Sequence, residues 1–133
     1  QLGNRGIGPA SYGVQPDMAI TVEGCKEEGA IQSGKGPVVA LLDRRAIYSK
    51  SVTDKIRQAA AAQNLTIQLS AGQREAGGGG GALPIGGGIS TGSLRFAVKD
   101  WHSPLEVAPI RDMEACTTLL QAILEERYDT ELD

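Results

Sequence analysis

Pro37-Val38-Val39-Ala40-Leu41-Leu42 is apolar at every position, and Met18-Ala19-Ile20-Thr21-Val22 is interrupted only by a threonine. A strand with one wet face alternates polar and apolar residues. A run without that alternation has both faces covered, as in mainly parallel sheets flanked by helices. These two runs restrict the chain to an α/β architecture and set what the remaining segments must supply, namely helices to cover the sheet.

Two segments carry the helical period. In residues 51–63 (SVTDKIRQAAAAQ), Val52, Ile56, Ala59 and Ala60 share one face. Ser51, with Asp54 three residues on, resembles a capping box, and Asn64 can close the helix. From Asp112 to about Tyr128, the stripe Met113, Cys116, Leu119, Leu120, Ile123 and Leu124 marks the longest helix. Glu125 and Glu126 oppose the dipole at its end. Pro9 can open a short helix near the start. Residues 65–69 (LTIQL) alternate and predict a strand, and residues 93–98 predict another. The polar, glycine-punctuated residues 23–36 predict a surface loop. The expected fold is a single α/β domain over residues 1–133, a three-layer sandwich with a mostly parallel sheet.

Composition excludes several function classes. The 133 residues are enough to bury a core. Aromatics make up only 4%, so that core is aliphatic and base stacking on the surface is poorly served. A net charge of -3 offers no general attraction to nucleic acid or an anionic membrane, and neither is expected as a partner. No apolar run approaches the roughly 20 residues that span a bilayer. No signal peptide is visible; a start at Gln1 rather than Met fits a removed signal, a fragment or a trimmed end alike. Cys25 and Cys116 lack metal-ligand spacing, and their pairing in a disulfide is left open. A reducing cytoplasm is the default location.

Chemistry concentrates in residues 96–106 (FAVKDWHSPLE), which hold the only histidine, His102, and the only tryptophan, Trp101. The tract Gly77 to Gly81, with Gly86 to Gly88 beyond it, could cradle a phosphate or a peptide carboxylate on backbone N–H groups. It lacks the Lys-Ser/Thr ending of a P-loop and does not lead straight into a helix, so a plain loop is the better reading. Ser103, Cys25 and Cys116 have no nucleophile's partners nearby in sequence. Arg44-Arg45 reads as a solvated basic spot.

In order along the chain, Gln1-Leu2-Gly3-Asn4-Arg5-Gly6, Pro16-Asp17-Met18-Ala19-Ile20, Gly34-Lys35-Gly36-Pro37, Gly78-Gly79-Gly80-Gly81-Ala82, Gly88-Ile89-Ser90-Thr91-Gly92 and His102-Ser103-Pro104-Leu105-Glu106 form a series. It resembles the C-terminal half of the catalytic domain of the dinuclear-metal glutamyl-aminopeptidase and cellulase-M-like peptidases, the branch that forms tetrahedral particles. The matched family patterns are Glu-Glu-Val-Gly-x-Arg-Gly, Pro-Asp-x-Ala-Ile-x-x-Asp-Val or a close variant, Gly-Lys-Gly-Pro, Gly-Gly-Thr-Asp-Ala, Gly-Ile-Pro-Thr-Gly and Arg-Tyr-x-His-Ser-Pro-x-Glu.

The resemblance implies a zinc-peptidase-like fold, partial relative to the family, and metal ligands at Gln1, Thr21 and His102. Only His102 keeps a ligating side chain. Gln1 is uncharged, and a threonine hydroxyl is a weak ligand for zinc or cobalt. Glu23 shares a strand face with Thr21 if the strand reaches it, and would then offer a replacement carboxylate; otherwise it is a solvated loop residue. Lys99-Asp100 replaces the family's Arg-Tyr. The expectation is therefore a degenerate domain with no catalytic residue of its own, binding loop Gly78 to Gly81, and no cofactor unless a zinc or cobalt site survives at His102. It would act as a binding, scaffolding or assembly subunit with a protein partner or as a homo-oligomer. The alternative is one piece of a split metal-dependent aminopeptidase completed by another chain.

Overall fold

The computed structural model describes residues 6–44, 46–72 and 88–126. In chain order its elements are α1 (Ile7–Val14), β1 (Met18–Lys26), β2 (Val38–Leu42), α2 (Lys50–Ala62), β3 (Gln68–Ala71), β4 (Ser90–Val98) and α3 (Ile110–Glu125). The four strands form one sheet in the order β1-β4-β2-β3. β1 pairs with β4 and β2 with β3 in parallel, while β2 and β4 run antiparallel, so the sheet is mostly parallel as expected.

Helices α2 and α3 cover one face. Val52, Ile56 and Ala60 of α2 and Cys116, Leu119 and Ile123 of α3 bury against Val39 and Leu94 of the sheet, giving the aliphatic core that the composition predicts. Gly92 lets α2 approach β4, since a β-carbon there would lie 2.6 Å from Val52 Cγ1. On the other face Cys25, Ile31, Val38 and Ala97 form a smaller cluster, with Ile31 reaching in from the β1–β2 connection. The two cysteines thus lie on opposite faces of the sheet and remain thiols, which closes the question of a disulfide between them.

Several local expectations are corrected. β1 continues through Lys26, so Glu23 is a strand residue rather than part of a surface loop. Parallel pairing along the whole of β4, from Met18↔Ser90 to Lys26↔Val98, extends it past the polar residues. β3 lies at Gln68–Ala71, shifted toward the C-terminus from the expected 65–69. The α2 boundary falls earlier, with Ser49 at the N-cap and no side-chain cap bond; Ser51 Oγ instead lies 2.9 Å from Ser49 Oγ. Asn64 does follow α2 in a left-handed conformation, φ +52°. In α3 the stripe narrows: Leu124 is exposed because the buried face is carried by Cys116, Leu119 and Ile123.

Candidate functional site

Strand alternation fixes what faces away from the helices. Gly92 and Leu94 of β4 face them, so Thr91, Ser93, Arg95 and Ala97 point the other way. The register pairs Thr21 with Ser93 and Glu23 with Arg95, placing both β1 side chains on that same face. Antiparallel pairing brings Val38 opposite Arg95 and Ala40 opposite Ser93.

Arg95 dominates this face. Its side chain is only 1% exposed. It turns back along β4, donating from Nε to Ser93 Oγ at 2.9 Å and ion-pairing with Glu23 Oε1 at 3.4 Å. Nη2 donates to Asp43 Oδ2 at 2.6 Å and to Tyr48 Oη at 2.9 Å. Tyr48 in turn donates to Asp43 Oδ2 at 2.5 Å, and Asp43 Oδ1 accepts the Ala46 N–H at 3.0 Å. Asp43 and Tyr48 are held close by a small turn in which Leu42 and Ile47 bridge. Burial and the bond to Asp43 push the Tyr48 phenol up to about 12. Burial alone would lower the Arg95 guanidinium, but Tyr48, Asp43 and Glu23 hold it above its ordinary value. The face therefore carries a buried cation flanked by two carboxylates and a neutral phenol. That arrangement positions charge and holds it still.

Thr21 contributes little to it. Its hydroxyl reaches the Gly92 carbonyl at 3.4 Å, within the sheet. His102 lies beyond the end of β4, in a loop closed by reciprocal backbone bonds between Lys99 and Val107. It is exposed, in a left-handed conformation with φ +62°, and its ring stacks on Trp101 at 3.6 Å. Glu106 accepts its backbone N–H, and Ser103 Oγ accepts the Leu105 N–H at 3.1 Å, so these side chains shape the turn. Among the described residues no group of three or more His, Cys, Asp or Glu side chains converges as a metal site. Gln1 and the loop Gly78, Gly79, Gly80 and Gly81 lie outside the described residues.

A second polar set anchors the Gly34-Lys35-Gly36-Pro37 segment. Asp112, buried in the first turn of α3, accepts the Gly34 N–H at 2.7 Å and the Gly36 N–H at 3.3 Å. Arg111 donates to the Gly34 carbonyl at 2.9 Å, and Gln68 donates to the Gly36 carbonyl at 2.9 Å. A carboxylate at a helix N-terminus also favours the dipole there. Burial, with the Asp112 charge nearby, pushes the Cys116 thiol up to about 12, so it is inert as a nucleophile.

Sequence reasoning passed over Arg95, Asp43, Tyr48 and Asp112. One signal was available: an arginine inside the otherwise apolar LRFAV run needs acidic partners if the strand is buried on both faces.

The sheet order, the helical layer and the ordered series of motifs define an α/β domain of the metallopeptidase kind. The chain belongs to the M42 glutamyl aminopeptidase family, which it matches over residues 1–119. It is 31% identical over 129 residues to a putative aminopeptidase of Acetivibrio thermocellus, covering 90% of this chain and 38% of that protein. It is 26% identical to a lysyl aminopeptidase of Pyrococcus furiosus, covering 95% and 38%. Among solved structures, the TET1 peptidase of Pyrococcus horikoshii superimposes with a TM-score of 0.80 at 25% identity, over 95% of this chain and 38% of that one. That peptidase is described as able to assemble into a tetrahedron or a large octahedral shell. This chain spans about 38% of the length of the relatives it matches.

Proposed function

We propose that this domain hydrolyses no peptides by itself and acts as a binding, scaffolding or assembly subunit built on the aminopeptidase fold. The observation that carries the reading is the ion pair between Glu23 and the buried Arg95. Counted from Pro16, the Asp of the Pro-Asp-x-Ala-Ile-x-x-Asp-Val pattern falls on Glu23, two positions beyond Thr21, which corrects the expectation of that ligand at Thr21. An acid is thus retained on the expected strand, but its partner is a guanidinium. Metal-assisted hydrolysis needs such carboxylates for divalent cations that polarise the substrate and activate water. Among the described residues, the donor set on this face does not fit a dinuclear zinc or cobalt site.

Assembly is favoured by exposed apolar side chains at Leu105 and Val107, on the stretch leading into α3, and at Ile110 and Met113 in its first turn. Self-assembly of the Pyrococcus horikoshii relative favours a homo-oligomer over a foreign protein partner. Two buried thiols suit a reducing, cytoplasmic setting, and no helix among the described residues is long and apolar enough to cross a membrane.

The test combines light scattering with an aminoacyl-nitroanilide assay in the presence of zinc, cobalt or manganese. A defined oligomer without turnover is expected; metal-dependent turnover by this chain would overturn the reading. The chain's 38% share of its relatives favours one second reading, a piece of a split aminopeptidase. Under that reading, turnover appears only when a second chain carrying the remaining family segment is supplied.

A further inference from the structure

We propose that the Arg95 guanidinium is the resident cation of this sheet face, compensating Glu23 and Asp43 in the role a divalent metal would otherwise play. It rests on the assignment of Glu23 as the family's strand acid and extends it to what holds that acid in the fold.

Two carboxylates on a covered sheet face require a positive charge, because an uncompensated buried anion is strongly disfavoured. Metal sites meet that requirement with an ion from solution; here a side chain of the neighbouring strand does so. The fit is specific. Nε spans Ser93 and Glu23, while Nη2 is shared by Asp43 and Tyr48, so the planar fork addresses both acids from one position. Tyr48 adds a neutral donor to Asp43. A divalent ion brought to Glu23 would meet a fixed guanidinium whose Nε already lies 3.4 Å from Oε1, in surroundings that screen poorly. Arg95 thus makes the domain independent of metal for folding and closes Glu23 to divalent ions.

The experiment is calorimetric titration with zinc and manganese, together with melting temperatures in EDTA and in added cation. For the wild-type chain, no binding heat and the same melting temperature in both conditions are expected. Arg95→Met should melt several degrees lower in EDTA and recover part of that loss with manganese or calcium, while Arg95→Lys should remain indifferent to both. Stoichiometric metal binding by the wild-type chain that Glu23→Gln abolishes would overturn the inference. An Arg95→Met protein as stable as wild type, or one that no divalent cation rescues, would overturn it too. Should Arg95→Met fail to fold, the wild-type titration and Glu23→Gln decide the matter. Metal binding without hydrolysis would remove this inference and leave the non-catalytic reading standing, whereas hydrolysis by the wild-type chain would remove both.

Discussion

At the scale of single residues, burial holds the Tyr48 phenol and the Cys116 thiol in their protonated forms. Tyr48 is held protonated as the donor to Asp43, with its pKa raised from 10.0 to about 12. Cys116 is likewise raised from 9.0 to about 12 by burial. Below the ordinary values both folded and unfolded chains hold these protons, and the stability is fully present. As pH rises from about 9 toward 12, the unfolded chain releases protons that the folded chain retains, and stability is lost. Two units at Tyr48 correspond to about 2–3 kcal/mol. Urea midpoints should therefore fall across that alkaline window. Tyr48→Phe should start lower, having lost the bond to Asp43, and decline less steeply; an equally steep decline would show that the phenol is not the group responsible. Arg95 itself was legible as an anomaly, a charge in an apolar run, but its partners come from β1, from the 43–48 turn and from its own strand.

At the scale of elements, the family-like Gly34-Lys35-Gly36-Pro37 segment shows why a short motif can matter without touching substrate. Gly36 has φ +91°, and a β-carbon there would lie 2.3 Å from the Thr66 carbonyl oxygen. Backbone meets backbone at that point, so neither side can yield cheaply. Gly36→Ala should cost more than about 1 kcal/mol, through strain at a positive φ as well as the clash. Denaturant unfolding would measure it, and a variant as stable as the wild type would show that the segment relaxes. The element boundaries that sequence periodicity misplaced have physical causes. β1 runs on through Glu23 and Lys26 because β4 is there to pair with. Ser49 rather than Ser51 begins α2 because the Ser49 N–H is held by the Thr91 carbonyl at 2.8 Å. Neither cause is local to the segment it shapes.

At the scale of the whole molecule, the helical layer and the sheet meet through a close approach at Gly92. A β-carbon there would sit 2.6 Å from Val52 Cγ1 and 3.2 Å from Ile56 Cδ1, so Gly92→Ala is expected to cost about 1–3 kcal/mol through overpacking. Val52→Ala in the same chain should restore part of that loss, since the two changes act on one contact. Strictly additive losses in a double-mutant cycle would show that the clash is absorbed elsewhere. The sequence by itself determined the α/β class, the aliphatic core and the family. Unalternating strands, helical stripes and an ordered series of short motifs are properties of contiguous residues. It also placed His102 correctly in the turn before the last helix. The pairing of Glu23 with Arg95, the enclosure of Asp43 and Tyr48, and the separation of Cys25 from Cys116 were decided only by the tertiary structure. Register between strands far apart in sequence chooses which side chains share a face, and a buried charge takes its state from whatever that register brings beside it.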